Sequence, residues 1–223
     1  MLKGLYMNLI FGSGGFAKEI DWLIYDIFNK TNCDYRPDYF VVKEGDPAIG
    51  SRINEVDVIN ESDLFNKVTS DNCNCFIAVG EPNIKKLIVN KIRSKLVNYQ
   101  FPNLIHPDVT FDNRVGKFKL GYGNIICSKS VLTTDIQIGN FVAVNLACTL
   151  GHESSIGDYS TLSPGVHISG NVHIGESVYI GTGAVSVQNV SICDDCIIGA
   201  SSVINKSLIQ PGTYIGMPAR KFK

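Results

Sequence analysis

From Leu120 to Ile204 one position in every six is aliphatic: Leu120, Ile126, Leu132, Ile138, Val144, Leu150, Ile156, Leu162, Ile168, Ile174, Ile180, then Ser186, then Ile192, Ile198 and Ile204. With Ile, Leu and Val at about a quarter of the chain, fourteen matches in fifteen is on the order of a one-in-a-million coincidence. A period of six fits neither an α-helix, which repeats near 3.6, nor an isolated strand, which alternates by two. It fits a stack of short strands and turns, a parallel β-helix. The residue two before each anchor is small or β-branched through most of the run, as at Ile136, Val142, Cys148, Val166, Val190 and Cys196, so the two side chains point inward together. Glycine often follows the anchor, at Gly139, Gly151, Gly157, Gly175, Gly181 and Gly199, where a tight corner is expected to need a positive φ.

The first hundred residues follow another rule. Met7 to Phe11 is an apolar run, GSGGFAKE follows, and Ile20, Leu23, Ile24 and Ile27 then recur at helical spacing. This predicts strand, glycine turn and helix, with the helix amino terminus open to an anion. Ala17 stands where the last glycine of a dinucleotide fingerprint would be, so NAD is not expected. Further strands are expected at Tyr39 to Lys43, Glu55 to Ile59 and Cys75 to Val79, with a short helix over Asp63 to Val68 capped by Ser62. Pro82 suits the first turn of a helix running to about Val97. The alternation predicts a Rossmann-like α/β domain over residues 1–102, with a parallel sheet whose strand ends carry Gly14 and Gly80.

A β-helix domain is expected over residues 103–223. Val109 and Val115 lie one residue out of the later frame, which marks the first coil as irregular. At the other end Ile215 and Gly216 read as a last anchor, and Pro218 stops further strand growth.

Composition narrows the classes. A chain of 223 residues with 44% hydrophobic content can bury a core, and a net charge of −1 gives no bulk attraction to nucleic acid or anionic membrane. No apolar run is long enough to span a bilayer and the amino terminus lacks a signal-peptide cleavage pattern, so a cytoplasmic protein is expected. Seven cysteines form no disulfide framework. Cys193 and Cys196 make a single C-x-x-C, but no second pair follows and Cys196 already fills an inward position, so it reads as packing and no metal is expected.

Four histidines occur, at 106, 152, 167 and 173. His167 and His173 precede an anchor by one residue and project outward as surface residues. His106 precedes Pro107 at the domain junction. His152 lies two after Leu150, on a corner, with Glu153 beside it. An imidazole suits general-base work near neutrality, and an adjacent carboxylate can orient the ring.

The hexapeptide pattern resembles that of hexapeptide-repeat acyltransferases, whose strands coil into a three-sided, left-handed prism. On that resemblance fifteen hexapeptides make about five coils, roughly 24 Å tall at about 4.8 Å per coil. The whole chain looks like the bacterial sugar O-acyltransferase family that includes sialic acid O-acetyltransferases and nucleotide-4-amino-sugar N-acetyltransferases. Four features carry this likeness in order: the glycine turn, the phrase CFIAVGEPNIKK, the hexapeptide run, and the closing YIGMPARKFK. Within the run, NLACTLGHESSIGDYSTLSPGVHISGNVHIG matches the family's catalytic coil.

The resemblance implies His152 as base and Glu153 as its supporting acid. It implies substrate contacts at Gly14, Gly15, Phe16 and Gly80, and acetyl-CoA contacts at Thr161, Gly170, Thr182 and Ala200. One member type has histidine where this chain has Thr161, which alters that contact. Members that bind a uracil-type base can carry two adjacent acids at the end of the second strand, where this chain has Val42 and Lys43. The expected assembly is a homotrimer of parallel β-helices with sites between neighbours.

Three functional readings follow. The first is acetyl-CoA-dependent N-acetylation of a nucleotide-linked amino sugar in bacterial surface glycan biosynthesis, by direct attack with a histidine base. The second is O-acetylation of sialic acid or a related sugar. The third is a non-catalytic β-helix scaffold, against which the paired His152 and Glu153 speak.

Overall fold

The computed structural model describes residues 6–68 and 72–222. The chain divides into two compact units, Met1–Gly80 with Ile84–Pro102, and Glu81–Asn83 with Asn103–Lys223.

The first unit is an α/β sandwich around a six-stranded sheet. Its elements are β1 (Tyr6–Phe11), α1 (Gly15–Thr31), β2 (Tyr39–Val42), β3 (Arg52–Ile53), β4 (Val56–Asn60), α2 (Glu61–Lys67), β5 (Asn72–Ile77), α3 (Pro82–Lys95) and β6 (Tyr99–Gln100). The strand order is β3-β4-β2-β1-β5-β6, parallel throughout except for the β3–β4 pair. That pair is a hairpin turned by Asn54 and Glu55, both with positive φ, an edge ribbon the apolar pattern does not reveal. Central strands covered on both faces read as unbroken apolar runs, and Leu9, Ile10 and Phe11 are accordingly all buried. α1 buries Ala17, Ile20, Leu23, Ile24 and Ile27, one apolar stripe against the sheet, each larger side chain contributing about 1.5–3 kcal/mol. Its last turn closes on Asn32, whose left-handed backbone sends its N–H to the Phe28 carbonyl at 2.9 Å. The cap of α2 is Asn60 rather than Ser62. The Asn60 side chain accepts the Asp63 N–H at 2.7 Å, while the Ser62 N–H goes to the Glu44 carboxylate at 3.0 Å.

The second unit is a three-sided parallel β-helix. Strands ending at Ile105, Ile126, Val144, Leu162, Ile180, Ile198 and Ile215 form the first face, those ending at Phe111, Leu132, Leu150, Ile168, Ser186 and Ile204 the second, and those ending at Leu120, Ile138, Ile156, Ile174 and Ile192 the third. Successive coils pair at an 18-residue offset, as in Leu150↔Ile168 and Ile156↔Ile174. Every expected anchor is buried except Leu120, which is half-buried in the first coil, and the inward positions two before them from Ile136 to Ser202 are buried too. Inward serines are tolerated because neighbouring coils satisfy them. Ser160 Oγ donates to the Gly175 carbonyl at 2.8 Å and accepts the Val178 N–H at 2.9 Å. Ser186, the one polar anchor, is bonded to Ser169 in the coil before.

The corners differ from expectation. Gly139, Gly151, Gly157, Gly175, Gly181 and Gly199 are not among the residues with positive φ. The left-handed residue is three after each anchor, and it recurs without a break from Gly123 through Lys129, Asp135, Phe141, Ala147 and Glu153 to Ser201. Most of these are not glycine, and a left-handed backbone costs about 1–2 kcal/mol for such residues. The offset is a bond between coils: Phe141, Ala147, Glu153, Tyr159 and Asn171 each donate their N–H to a carbonyl of the preceding coil, at 2.7–3.1 Å. Glycine after the anchor answers a different need, close approach. A Cβ on Gly157 would sit 2.6 Å from the Gly175 carbonyl carbon, and one on Gly181 would sit 2.6 Å from the Ala200 nitrogen.

Both ends depart from the repeat. The first coil pairs at an offset of 21 residues, Ile105↔Ile126 and Phe111↔Leu132, before the regular Leu120↔Ile138. The three extra residues fall in the connection after Phe111. Val109 keeps an inward place two before Phe111, whereas Val115 is fully exposed in that connection and is no repeat position. There Asp112 accepts from Arg114 Nε at 2.8 Å and from Thr134 Oγ1 at 2.7 Å, which holds its carboxyl well below the usual range. This early coil, and the strand Gly212–Ile215, make the stack taller than the five coils counted from the regular frame. At the carboxyl end Ile198 pairs with Tyr214, so Tyr214 is the last inward anchor and Ile215 is exposed. An antiparallel strand, Arg220–Lys221, then covers the edge.

Two outcomes follow from this packing. Gly157→Ala should lower the thermal midpoint, by about 1–3 kcal/mol of stability or more, because coils must separate to admit the methyl group. Ala147→Gly should leave it unchanged or raise it, since relief at φ 55 offsets the entropy of glycine. A destabilised Ala147→Gly beside an unaffected Gly157→Ala would contradict the corner assignment.

The second concerns Cys148, which is buried, donates toward the Ser163 carbonyl at 3.2 Å, and has its thiol pushed up to about 11 by burial. Little of it is thiolate near neutrality and burial shields the sulfur, so at pH 8 iodoacetamide should label exposed Cys33 and spare Cys148 until guanidinium unfolds the chain. Rapid native labelling of Cys148, read by mass spectrometry, would place it outside the core.

Candidate functional site

Two sites emerge, one in each unit. In the first, the connections after β1, β2 and β5 leave the carboxyl edge of the sheet on either side of the point where strand order reverses. They enclose a cavity of about 520 Å³ lined by Phe11 to Phe16, Val41 to Lys43, Asp46, Glu61, Ala78 to Gly80, Ile84 and Ile88. Gly14, Gly15, Phe16 and Gly80, separated by up to 66 positions, all line it.

The glycines of this cleft play two roles. Gly12 has φ +128, and a Cβ there would sit 2.8 Å from the Ala78 carbonyl oxygen, so the fold itself requires it. Gly14, Gly15 and Gly80 have open space where a Cβ would be. Their lack of side chains keeps the cleft clear. Gly14 is also the N-cap of α1 and supplies no side-chain bond, so the first N–H groups of that 17-residue helix face the turn uncapped.

Val42 and Lys43 line the cleft, as their place at the end of β2 requires, and no adjacent acid pair stands there. Asp46 and Glu61 were not marked by the sequence pattern. Asp46 sits in the connection after β2, and Glu61 opens α2, 15 residues later. Glu61 is 6% exposed and ion-paired with Lys91 of α3. Nothing local in the sequence marks it, since its partner lies 30 residues away.

The second site is the edge between the second and third faces of the β-helix. Leu150 ends a strand of one face and Ser155 begins a strand of the next, so His152 and Glu153 project from the corner between them. Their side chains are 58% and 65% exposed, and His152 Nδ1 lies 2.9 Å from Glu153 Oε2. The carboxylate accepts the Nδ1 proton, which leaves Nε2 with its lone pair free.

One coil further, Gly170 lies under the ring. A Cβ at Gly170 would overlap His152 Nε2, so this glycine makes room for the imidazole. Gly170 is buried, its carbonyl accepts the Asn189 N–H at 3.1 Å, and its own N–H makes no hydrogen bond among the described residues.

The other histidines have different settings. His167 Nδ1 pairs with Thr149 Oγ1 at 2.9 Å and His173 Nδ1 with Ser155 Oγ at 3.0 Å, both on exposed strand faces. His106 is buried, and its Nδ1 accepts the Asp108 N–H at 3.0 Å. Cys193 and Cys196 are free thiols with sulfurs 3.5 Å apart.

The four residues expected to meet acetyl-CoA are not gathered in one place. Gly170 shares the edge of His152. Thr182 and Ala200 are exposed on the edge between the first and second faces, stacked one coil apart. Thr161 is buried on the first face.

No helix among the described residues is long and apolar enough to cross a membrane. Residues 9–92 match the PglD N-terminal domain. The chain is 31% identical over 198 residues, 82% of its length and 80% of the relative's, to GDP-perosamine N-acetyltransferase of Escherichia coli O157:H7. Its structure is similar to the acetyltransferase domain of PglB from Neisseria gonorrhoeae FA1090 in complex with acetyl coenzyme A, with a TM-score of 0.83 and 28% identity over 98% of this chain and 100% of that one. WeeI from Acinetobacter baumannii AYE gives a TM-score of 0.82 and 27% identity over 97% and 100% of the two chains. On the strength of a relative matched over four-fifths of both lengths, the chain belongs to the PglD-like family of hexapeptide-repeat nucleotide-amino-sugar acetyltransferases.

Proposed function

We propose that this protein transfers the acetyl group of acetyl-CoA to the amine of a nucleotide-linked amino sugar. The observation that carries the reading is the exposed His152–Glu153 pair over the bare backbone of Gly170. The name of the 31% identical relative, an N-acetyltransferase of a nucleotide-linked sugar, supports it, as does the acetyl coenzyme A bound to a structural neighbour.

The chemistry needs a base and a donor. A neutral amine attacks the thioester carbonyl and becomes cationic as the C–N bond forms, and His152 Nε2 takes its excess proton. Glu153 holds the opposite ring nitrogen, fixing the tautomer and stabilising the imidazolium. The carbonyl oxygen gains negative charge and needs a fixed N–H, for which the unbonded Gly170 amide is the assigned donor. Collapse of the tetrahedral intermediate breaks the C–S bond, and the departing thiolate recovers the proton from His152. In the other unit, Gly14, Gly15, Phe16 and Gly80 bound the cleft assigned to the nucleotide, with the diphosphate on the uncapped N–H groups of α1.

Assembly follows from where the assigned contacts lie. His152 and Gly170 are on one edge of the prism, Thr182 and Ala200 on another. We assign a homotrimer of parallel β-helices in which one acetyl-CoA meets these two edges from neighbouring copies of the chain.

His152→Ala should lower kcat by about 10²- to 10⁴-fold with substrate dissociation constants little changed, and Glu153→Gln should cost less. A panel of nucleotide amino sugars and hydroxyl acceptors with acetyl-CoA gives the readout, and wild-type kcat in His152→Ala at saturation would remove the assignment. The shared site has its own test. His152→Ala and Ala200→Trp, each inactive alone, should regain about a quarter of wild-type activity when equal amounts are mixed and reassembled, since one site in four then joins two intact edges. Failure of fully reassembled mixed trimers to regain activity would put both residues in a site within one chain.

A further inference from the structure

This inference rests on the nucleotide-sugar reading of the glycine-turn cleft and concerns which base it holds. Part of that cleft's lining is polar. Ile84 and Ile88 line it from α3, and Lys91, about one turn further along the helix, is ion-paired with Glu61, which lines the cleft itself. Glu61 is buried, so its carboxylate is held in place while still offering lone pairs. Asp46 lines the same cavity, where its Oδ1 accepts the Ala48 N–H at 2.9 Å. Lys43, three residues before Asp46, also lines the cleft. Val41, Val42 and Val79 supply apolar walls.

A planar base between such walls meets a carboxylate that only accepts and an ammonium that only donates. Guanine fits both. Its N1–H and N2 amino group lie side by side and can share one carboxylate, while O6 and N7 suit a lysine. Uracil has a single N–H between two carbonyls, so it meets the carboxylate through one bond. Adenine and cytosine offer the carboxylate a single amino group, and the ring nitrogen beside it carries a lone pair that faces the second carboxylate oxygen. Only guanine presents two adjacent donors, and a buried carboxylate oxygen left without a partner weakens binding.

We propose that this cleft selects a guanine nucleoside diphosphate, with Glu61 reading the N1–H and N2 amino edge, Lys43 facing O6 and N7, and Asp46 accepting from the ribose hydroxyls. Glu61 is thus a specificity-determining residue that takes no part in acetyl transfer.

Isothermal titration of the full-length chain with GDP, IDP, UDP, CDP and ADP, without acetyl-CoA, tests this. IDP lacks only the N2 amino group. GDP should bind tightest, with IDP and UDP each weaker by about 10-fold or more, a bidentate base contact being worth about 1–3 kcal/mol. Glu61→Gln, checked for a wild-type thermal midpoint, should bring GDP down to the IDP level and leave IDP nearly unchanged. Equal binding of GDP and IDP by the wild-type chain, tighter binding of UDP, or no binding of any of the five overturns the proposal without any variant. The outcome separates from that of the proposed reaction. Selective GDP binding with no acetyl transfer to any GDP-linked amino sugar would leave the base assignment standing and remove the reaction, and turnover of UDP-linked amino sugars alone would do the reverse.

Discussion

The vertical contact between coils governs the second unit. Each coil sits so close to the next that a methyl group at Gly151 would lie 2.5 Å from the Gly170 nitrogen, and that approach brings each corner N–H from Phe141 to Ser201 within bonding distance of the coil before. The 18-residue offset is therefore enforced twice, by side-chain stacking inside and by backbone bonds at the corners. The strain of a left-handed residue in every hexapeptide is tolerated because the same residue forms one of those bonds. The placement of His152 over Gly170 is a consequence of this offset, since the two differ by one coil.

The first unit works by a different constraint. Parallel strands need crossovers, and crossovers leave their loops at the carboxyl edge of the sheet. Gly14 after β1, Lys43 and Asp46 after β2, Glu61 after β4 and Gly80 after β5 come together for that reason. Its precision is lower than that of stacked coils, but it gathers residues from more of the chain. A cleft that recognises a nucleotide needs many dissimilar groups around one ligand, whereas proton transfer needs two groups held closely.

This difference explains what could be read from the sequence. Anchors such as Leu150 and Ile168 were legible because the prism interior presents the same demand every sixth residue. The left-handed corners were not, because Phe141, Ala147 and Glu153 share no chemistry beyond tolerating a backbone state that a neighbouring carbonyl stabilises. Glycine was the visible corner residue, yet its cause is the backbone of the coil beneath it. Tyr214 was missed as an anchor because the last coil is two residues short, Ile198↔Tyr214, and local spacing cannot show a changed offset. In the candidate sites, His152 with Glu153 and the glycine turn stand out locally. Glu61 does not, since its burial depends on Lys91, 30 residues away on α3.

The position of His152 within the stack also has a physical rationale. Terminal coils are irregular here, with three additional residues at one end and a shortened turn at the other, and solenoid ends open most easily. His152 lies in neither. Its carbonyl accepts the Asn171 N–H from the coil after at 2.7 Å, while the Glu153 N–H donates to the Thr134 carbonyl of the coil before at 3.0 Å. The backbone of the pair is thus bonded on both sides, and the remaining freedom lies in side-chain torsions. Glu153 restricts the imidazole through Nδ1, and Gly170 lets the ring lie flat on the next coil. A base held so needs little reorganisation as the proton moves, which is what a preorganised site supplies and what an exposed histidine on a mobile loop would lack.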